Sequence, residues 1–163
     1  RAHQEVAFNI ALSIVKDAFV AQEVIQDAFV KVYRNLKSFH HQSKFSTWLY
    51  RIVKNEALMR LRKLKKDRLY FSGDLAEGDI GDVSPDQVPE EEMQRLVNKA
   101  LQCLSPKESL SIRLFYLQEE NIKTVSEIAG WSESNTKTIL HRARKHLMQI
   151  LQELIKKENG DGI

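Results

Sequence analysis

The chain has 163 residues, of which 25 are basic, 22 are acidic and 42% are hydrophobic. This length suits one or two small domains, and the apolar fraction is high enough to form a core, which excludes a disordered chain. No apolar run approaches the roughly 20 residues of a membrane span, and no signal-peptide pattern is visible. We therefore expect a soluble, cytoplasmic protein without membrane insertion.

Enzyme chemistry has little support in the residue patterns. The sequence shows no glycine-rich phosphate loop, no paired-carboxylate signature and no Ser/His/Asp arrangement of the kind that indicates a catalytic site. Cys103 is the single cysteine, which excludes a cysteine-rich metal site, and we expect it to be a small core residue. His40 and His41 are neighbours in sequence, which favours a solvated loop or a DNA contact over metal binding. We expect no enzyme activity, no metal and no cofactor.

Charge is segregated along the chain. Residues 1–68 hold 14 basic and 6 acidic side chains, a net charge of +8. Residues 69–94 hold 8 acidic side chains and no basic one, whereas residues 95–163 hold 11 basic and 8 acidic ones, a net charge of +3. This order favours two modules that contact a polyanion, joined by a segment that a polyanion repels.

The first module has the apolar periodicity of three helices. Apolar residues between Val6 and Val15 predict a first helix of about four turns, and a second is predicted over 19–37. The second helix buries a stripe from Val24 to Leu36 and turns its polar side outward. A third helix is predicted over 48–66, with Ser46 or Thr47 as its N-cap. These elements predict a three-helix bundle. The outward positions of the second helix are Gln22, Glu23, Gln26, Asp27 and Val30.

Residues 69–90 are rich in acidic residues, glycine and proline and have almost no apolar period. This composition is typical of a flexible linker, and a segment of this length spans up to about 80 Å when extended. The sequence alone leaves open whether the flanking modules pack together.

The second module, from about residue 91, contains the most specific local pattern. A short helix at Val125–Ala129, a turn at Gly130 and a helix over 134–156, capped by Ser132 or Ser134, have the spacing of a helix-turn-helix. Side chains at the start of the second helix reach base edges or phosphates in such a motif. An ordinary helical hairpin with a solvated basic face is the alternative. The candidate DNA contacts are Ser134, Asn135, Lys137, Thr138, His141, Arg142, Arg144 and Lys145.

The third helix of the first module combines aromatic and basic residues. Bases of single-stranded DNA stack on aromatic rings while cations hold the backbone. The alternative is that the aromatic residues belong to the core and the basic residues form a solvated face. The candidates for this surface are Phe45, Trp48, Arg51, Lys54, Asn55 and Arg62.

Four stretches together resemble a bacterial extracytoplasmic-function (ECF) sigma factor of the sigma-70 family. AQEVIQDAFVKVYRNLKSF and FSTWLYRIVKNEALMRLRK resemble region 2, whereas LSPKESLSIRLFYLQEENIKTVSEIAG and SNTKTILHRARKHL resemble region 4. The resemblance implies an all-α fold of two small helical domains joined by a flexible acidic linker, the second containing a helix-turn-helix. It divides the chain into a region 2 domain (1–68), a linker (69–90) and a region 4 domain (91–163).

The resemblance also implies a role for each surface. The outward side of the second helix would dock on core RNA polymerase, and the third helix with the loop at 40–46 would receive an unpaired base of the minus-10 element. The helix beginning at Ser134 would read the minus-35 element as duplex. Such a sigma factor directs promoter recognition, DNA melting and transcription initiation, and an anti-sigma factor is an expected partner.

One departure from the family pattern affects the recognition helix. Where the family commonly has Thr-Val-Lys-Ser-Arg, this chain has Asn135-Thr136-Lys137-Thr138-Ile139. The loss of an arginine at position 139 leaves the minus-35 sequence open. The competing interpretation of the whole chain is a conventional helix-turn-helix regulator that binds duplex DNA without polymerase.

Overall fold

A computed structural model of the chain describes residues 2–70 and 89–160. Over these ranges the chain forms seven α-helices and no strand, which confirms the all-α fold class. None of these helices is long and apolar enough to span a membrane. The predicted flexible linker lies outside the described residues, except that 69–70 belong to the third helix and 89–90 to the fourth. The helices are α1 (Ala2–Val15), α2 (Ala18–Asn35), α3 (Phe45–Tyr70), α4 (Pro89–Cys103), α5 (Pro106–Ile112), α6 (Ile122–Ala129) and α7 (Glu133–Gly160).

Helices α1 to α3 pack against one another as the predicted three-helix bundle. The Asp17 carboxylate accepts a hydrogen bond from the Val20 N–H at 3.0 Å, which caps the N-terminus of α2. Each helix buries positions spaced three or four residues apart, as an amphipathic helix does. The buried positions are Ala7, Ile10, Ala11 and Ile14 of α1, Ala21, Val24, Ile25, Ala28 and Val32 of α2, and Leu49, Tyr50, Val53 and Ala57 of α3.

Two helix ends differ from the prediction. Helix α2 ends at Asn35 and passes into a tighter 3₁₀ turn, whose winding moves Leu36 off the buried stripe and leaves it 51% exposed. Helix α3 begins at Phe45, because the Trp48 N–H already donates to the Lys44 carbonyl at 3.2 Å. The prediction of Ser46 or Thr47 as the N-cap is therefore wrong.

The C-terminal helices form a second group, in which α4 and α5 pack on α7. The Ser105 hydroxyl accepts a hydrogen bond from the Glu108 N–H at 3.3 Å, and Pro106 occupies the first turn of α5. Helix α5 continues into a π-helical turn at Arg113–Leu117. The buried residues at the centre of this group are Leu101, Leu104, Ile112, Leu140 and Ala143.

Cys103 is exposed, so the expectation that it is a core residue is wrong. A helix turns by about 100° per residue, and Leu101 and Leu104 therefore share a face that Cys103 does not. Both leucines are buried, whereas Cys103 ends α4 on the solvent side.

The two groups of helices pack against each other. Helix α1 contacts α5, and α3 contacts α6. Lys16 follows α1 with a left-handed φ of 59°, and its Nζ donates to the carbonyl oxygens of Gln102 and Leu104 at the end of α4. One continuous core crosses the contact. The residues that the C-terminal group adds to the core of α1–α3 are Leu110, Leu114, Val125, Ile128 and Ala129.

Candidate DNA and polymerase interfaces

The outward side of α2 carries the residues predicted to dock on polymerase. Gln22, Gln26, Asp27 and Val30 are exposed, and Val30 is 49% exposed although it is apolar. Glu23 differs from them, because its carboxylate forms an ion pair with Arg60 of α3 and is only partly accessible. Four of the five predicted residues therefore lie on a free surface.

Two aromatic residues on the same side of α2 were not predicted. Phe19 is 74% exposed and Tyr33 is 83% exposed, the two highest values among the large apolar residues that the structure describes. Phe19 and Tyr33 are 11 and 3 residues from Val30, and these spacings place all three side chains on one side of a helix. This repeat is visible in the sequence, and it identifies an apolar strip on an otherwise polar face. We call Phe19, Val30 and Tyr33, together with the polar Gln26 that lies between them, the α2 strip.

An aromatic cluster lies where the loop after α2 meets α3. The ring centroids of Phe39 and Trp48 are 5.0 Å apart, and those of Phe45 and Trp48 are 5.8 Å apart. The His41 ring lies 4.7 Å from that of Phe39, and the His41 backbone has a left-handed φ of 58°. Trp48 is partly buried and Phe45 is 39% exposed, so the cluster offers ring surface to solvent as well as to the core.

Two adjoining clefts open beside this cluster. The larger has a volume of about 880 Å³ and the smaller about 350 Å³, which is the size range of small-molecule sites. They share Phe39, Gln42 and Ser43. The smaller cleft is bounded by residues of both groups of helices. Its lining is Ser38, Phe39, His40, Gln42, Ser43, Trp48, Arg51 and Glu127.

The predicted basic stripe of α3 is only partly exposed. Arg51, Asn55 and Arg62 face solvent, but Lys54 is 8% exposed, which contradicts its expected position on an open surface. The reason is the contact with α6, since the Lys54 Nζ lies 3.4 Å from the point where a β-carbon on Gly130 would stand. Burial lowers the pKa of Lys54, and the neighbouring charges of Arg51 and Arg62 act in the same direction.

Arg51 is tied to the same contact. Its Nε donates to the Glu127 carbonyl oxygen at 2.9 Å, and this bond joins α3 to α6. Two of the candidate DNA-binding cations of α3 therefore contact the C-terminal helices in this structure.

Helices α6 and α7 form the predicted helix-turn-helix. The Asn121 side chain caps α6 by accepting from the Thr124 N–H at 2.8 Å, and Gly130 ends it with a left-handed φ of 78°. The Ser132 hydroxyl accepts from the Asn135 N–H at 3.0 Å, so Ser132 rather than Ser134 caps α7. The buried side chains at the crossing are Val125, Ile128, Ala129, Thr136, Leu140 and Ala143.

The exposed side of α7 contains every residue predicted to contact the minus-35 element. Ser134, Asn135, Lys137, Thr138, His141, Arg142, Arg144 and Lys145 are all exposed. The Arg144 guanidinium also donates to the Tyr116 hydroxyl at 3.0 Å, which orients it along the helix surface. Their spacing places these side chains on one exposed side of α7.

Comparisons with known proteins extend along most of the chain. Residues 1–67 match the family model for sigma-70 region 2, and residues 94–147 match that for sigma-70 region 4. The RNA polymerase sigma-H factor of Pseudomonas aeruginosa is 32% identical over 168 residues, which cover 94% of this chain and 84% of that one. The ECF RNA polymerase sigma factor SigW of Bacillus subtilis is 29% identical over 162 residues, which cover 93% and 86%.

The fold is also similar to solved structures. The sigma factor RpoE of Bartonella quintana, crystallised with the anti-sigma factor NepR, superposes with a TM-score of 0.74 at 21% identity, covering 93% of this chain and 92% of that one. CnrH, solved with the cytosolic domain of CnrY, gives a TM-score of 0.62 at 20% identity, covering 93% and 84%. The two family models in this order, together with the relatives, show that the chain belongs to the ECF group of the sigma-70 family of RNA polymerase sigma factors.

Proposed function

We propose that this sigma factor binds core RNA polymerase and directs promoter recognition, DNA melting and transcription initiation through three separate surfaces. The observation that carries the proposal is the presence, in one chain, of a complete helix-turn-helix and an aromatic-lined cleft on a second helical bundle. A duplex-binding regulator needs only the first of these. A factor that also captures an unpaired base needs the second.

We assign the proposed functions to successive segments of the chain. Residues 1–68 form the domain for polymerase docking and minus-10 recognition, and residues 91–163 form the domain for minus-35 recognition. Residues 69–90 join them. This assignment agrees with the extents of the two family models, 1–67 and 94–147.

The α2 strip is the proposed docking surface for core polymerase, with Gln22, Glu23 and Asp27 beside it. Interface centres are enriched in aromatic residues and poor in charge, and Phe19 and Tyr33 supply such anchors within a polar rim. Glu23 contributes as part of its ion pair with Arg60, which holds α2 against α3.

The clefts beside Phe39, Phe45 and Trp48 are the proposed receptor for the minus-10 element. Extrusion of a base from the duplex costs a few kcal/mol, which stacking on an aromatic ring offsets. Arg51 and Arg62 lie along α3 where they can neutralise phosphates of the same strand, and Asn55 supplies a hydrogen-bonding amide between them. Lys54 joins this set when the contact with Gly130 is absent.

The exposed face of α7 is the proposed reader of the minus-35 duplex. Ser134, Asn135, Lys137, Thr138 and His141 lie in the first turns, where a recognition helix contacts base edges. Arg142, Arg144 and Lys145 lie farther along, where they suit phosphate contacts that give affinity rather than sequence choice.

Two further features complete the proposal. The protein acts in the cytoplasm, where its polymerase and promoter DNA are found. An anti-sigma factor is a proposed regulatory partner, because two solved structures of similar fold were determined as complexes, one with the anti-sigma factor NepR and one with the cytosolic domain of CnrY.

The test is reconstitution with purified core RNA polymerase. We expect the chain to co-elute with the core enzyme and to give runoff transcripts with defined start sites from a promoter library. Core enzyme alone and core enzyme with heat-denatured chain are the controls. Tight binding to duplex DNA without association with the core enzyme would overturn the proposal and favour a conventional helix-turn-helix regulator.

A further inference from the structure

We propose that Tyr116 is a positioning residue for minus-35 DNA, because its hydroxyl holds the Arg144 guanidinium where it can bind a phosphate of the duplex. This inference rests on the proposed function, since it concerns the α7 surface assigned there to the minus-35 element. Tyr116 lies in the π-helical turn that follows α5, and α6 separates this turn from α7 in the chain. The sequence pattern of the helix-turn-helix does not include this tyrosine.

The contact between Tyr116 and Arg144 is a hydrogen bond at the protein surface. The Arg144 guanidinium donates from Nη1 to the Tyr116 hydroxyl oxygen at 3.0 Å. Arg144 is exposed and Tyr116 is 44% exposed, so DNA can reach both side chains. No carboxylate of the described residues forms an ion pair with Arg144, so its positive charge is not neutralised there. A guanidinium has further N–H donors, and these remain available to phosphate oxygens.

Arg144 lies at the edge of the exposed side of α7. Successive helix positions are about 100° apart, so Arg144 and Lys137, seven residues earlier, point in nearly the same direction. The neighbouring Ala143 and the preceding Leu140 are buried in the core of the C-terminal group, which places Arg144 on the flank of the exposed side. When a recognition helix lies in the major groove, side chains on its flanks are near the phosphates that line the groove. The position of Arg144 therefore suits a phosphate contact.

The position of Tyr116 is determined by the π-helical turn. The Gln118 N–H donates to the Arg113 carbonyl at 3.0 Å, five residues back, so this turn contains one residue more than an α-helical turn. The partly buried Phe115 packs against both apolar clusters, and its ring meets the Tyr116 ring edge to face with centroids 5.0 Å apart. The phenol is thus supported by an anchored ring while its hydroxyl reaches α7. π-Helical turns are frequent at functional sites, which supports a role for this one.

The bond to Tyr116 restricts a side chain that would otherwise be mobile. An exposed arginine samples many rotamers, and the loss of this freedom on binding lowers affinity. A hydrogen bond to a supported phenol removes part of the freedom before DNA binds. Tyr116 therefore raises affinity through Arg144, although it carries no charge itself. This role is visible in the salt dependence of binding, because the salt dependence reports the number of phosphates that cations neutralise.

The test compares Tyr116→Phe with Arg144→Gln in the full chain. Tyr116→Phe removes only the hydroxyl, and Tyr50→Phe is the matched control because it removes a hydroxyl that bonds to His3 in the first bundle. The probe is a fluorescein-labelled duplex pool of random sequence, about 20 base pairs or two helical turns long. Fluorescence anisotropy at several salt concentrations gives the affinity and its salt dependence. Circular dichroism and urea unfolding verify that the variants are folded.

The expected results distinguish the three variants. Arg144→Gln should reduce the slope of log affinity against log salt by about 0.9, the value for one phosphate. Tyr116→Phe changes no charge, yet it should reduce this slope in the same direction and weaken binding about three-fold or more at low salt. Tyr50→Phe should change neither the slope nor the affinity.

The double variant Tyr116→Phe/Arg144→Gln separates positioning from a direct contact. A residue that acts only through Arg144 has nothing to position once the guanidinium is gone. The double variant should therefore match Arg144→Gln in both affinity and slope. A tyrosine that itself bonds to DNA would weaken binding further in the double variant, and one that only stabilises the fold would lower the urea midpoint and leave the slope unchanged.

The outcomes separate this inference from the proposed function. An unchanged slope in Tyr116→Phe, or a further loss of affinity in the double variant, would overturn the positioning role. An unchanged slope in Arg144→Gln would overturn the phosphate contact through which Tyr116 acts. Failure of the unmodified chain to bind core polymerase would instead contradict the proposed function, and it would leave the slopes measured on duplex DNA as they stand.

Discussion

The Arg51 guanidinium donates from Nε to the carbonyl oxygen of Glu127 at 2.9 Å, a bond between residues 76 positions apart in the chain. It joins the helix proposed to hold the minus-10 strand to the first helix of the helix-turn-helix. Because a carbonyl competes poorly with a phosphate for a guanidinium, the bond is one that DNA can replace. The same contact between helices buries the ammonium of Lys54 close to the positive charge of Arg51, which is energetically unfavourable.

Lys54→Met is expected to stabilise the protein near neutral pH. Methionine keeps much of the side-chain volume but removes an ammonium that is buried beside Arg51 and Arg62. Burial lowers the pKa of Lys54 below 10.5, so between its folded pKa and 10.5 the unfolded chain binds more protons and the stability of the unmodified protein rises with pH. The advantage of the variant should therefore shrink as the pH approaches 10.5.

Urea unfolding of both proteins at about pH 7 and at two higher pH values gives the difference in their unfolding free energies, by linear extrapolation to zero urea. Lys63→Met changes an exposed ammonium on the same helix and should alter the unfolding free energy by less than about 0.5 kcal/mol. A lower stability of Lys54→Met at neutral pH would show that the ammonium stabilises the fold. The same variant should bind single-stranded DNA more weakly than Lys63→Met if Lys54 serves the minus-10 strand.

The burial of Lys54 shows what local sequence patterns can and cannot predict. Periodicity predicted the buried stripe of α2 from Val24 to Val32, although not at Leu36, because such a stripe is determined by spacing within one helix. The position of Lys54 depends on Gly130, which belongs to a different group of helices. No spacing within α3 carries that information, so its basic stripe was predicted to be fully open.

The candidate surfaces were predictable to different degrees. All eight recognition-helix residues are exposed as predicted, since a capped helix after a glycine turn fixes which side faces outward. Phe19 and Tyr33 were assigned to neither side of α2, although their spacing from Val30 marks one outward strip. Leu36 was assigned to the buried stripe because the prediction assumed α-helical periodicity, whereas the chain forms a 3₁₀ turn at this residue.

Val30→Glu is expected to weaken binding to core polymerase about ten-fold or more. The substitution introduces a charge within the α2 strip, where desolvation on docking would penalise it. Glutamate is a good helix former and Val30 is exposed, so the unfolding free energy should hardly change. Fluorescence anisotropy of labelled chain titrated with core enzyme gives the affinity.

Met148→Glu is the matched control for that experiment. It makes the same kind of change at an apolar residue of α7 that is 56% exposed and lies outside the α2 strip. Equal losses of polymerase affinity in the two variants would contradict the assignment of docking to α2. A loss confined to Val30→Glu, with unchanged urea unfolding, is the expected result.

Lys137→Ala is expected to weaken binding to minus-35 duplex and to reduce its salt dependence. The Lys137 ammonium is placed at base edges, but it also neutralises phosphate charge beside the groove, and each neutralised phosphate that is lost lowers the slope of log affinity against log salt by about 0.9. Lys156→Ala removes an exposed ammonium from the same helix at a point about 28 Å farther along, beyond the predicted contacts. Electrophoretic mobility shifts at several salt concentrations distinguish the two, and an identical slope for both variants would contradict the placement of Lys137 at the DNA.

Ser132→Ala and Ser134→Ala are expected to differ in stability, although the two serines are only two residues apart. The Ser132 hydroxyl accepts the hydrogen bond from the Asn135 N–H at the start of α7, and removal of such a cap costs about 1 kcal/mol. Ser134 lies inside the first turn, where alanine is the better helix former, so Ser134→Ala should be neutral or slightly stabilising. Urea unfolding of the two variants compares them directly. Equal destabilisation would mean that α7 begins later than the structure indicates, and the first turn that carries Asn135 and Lys137 would then not be held in place by Ser132.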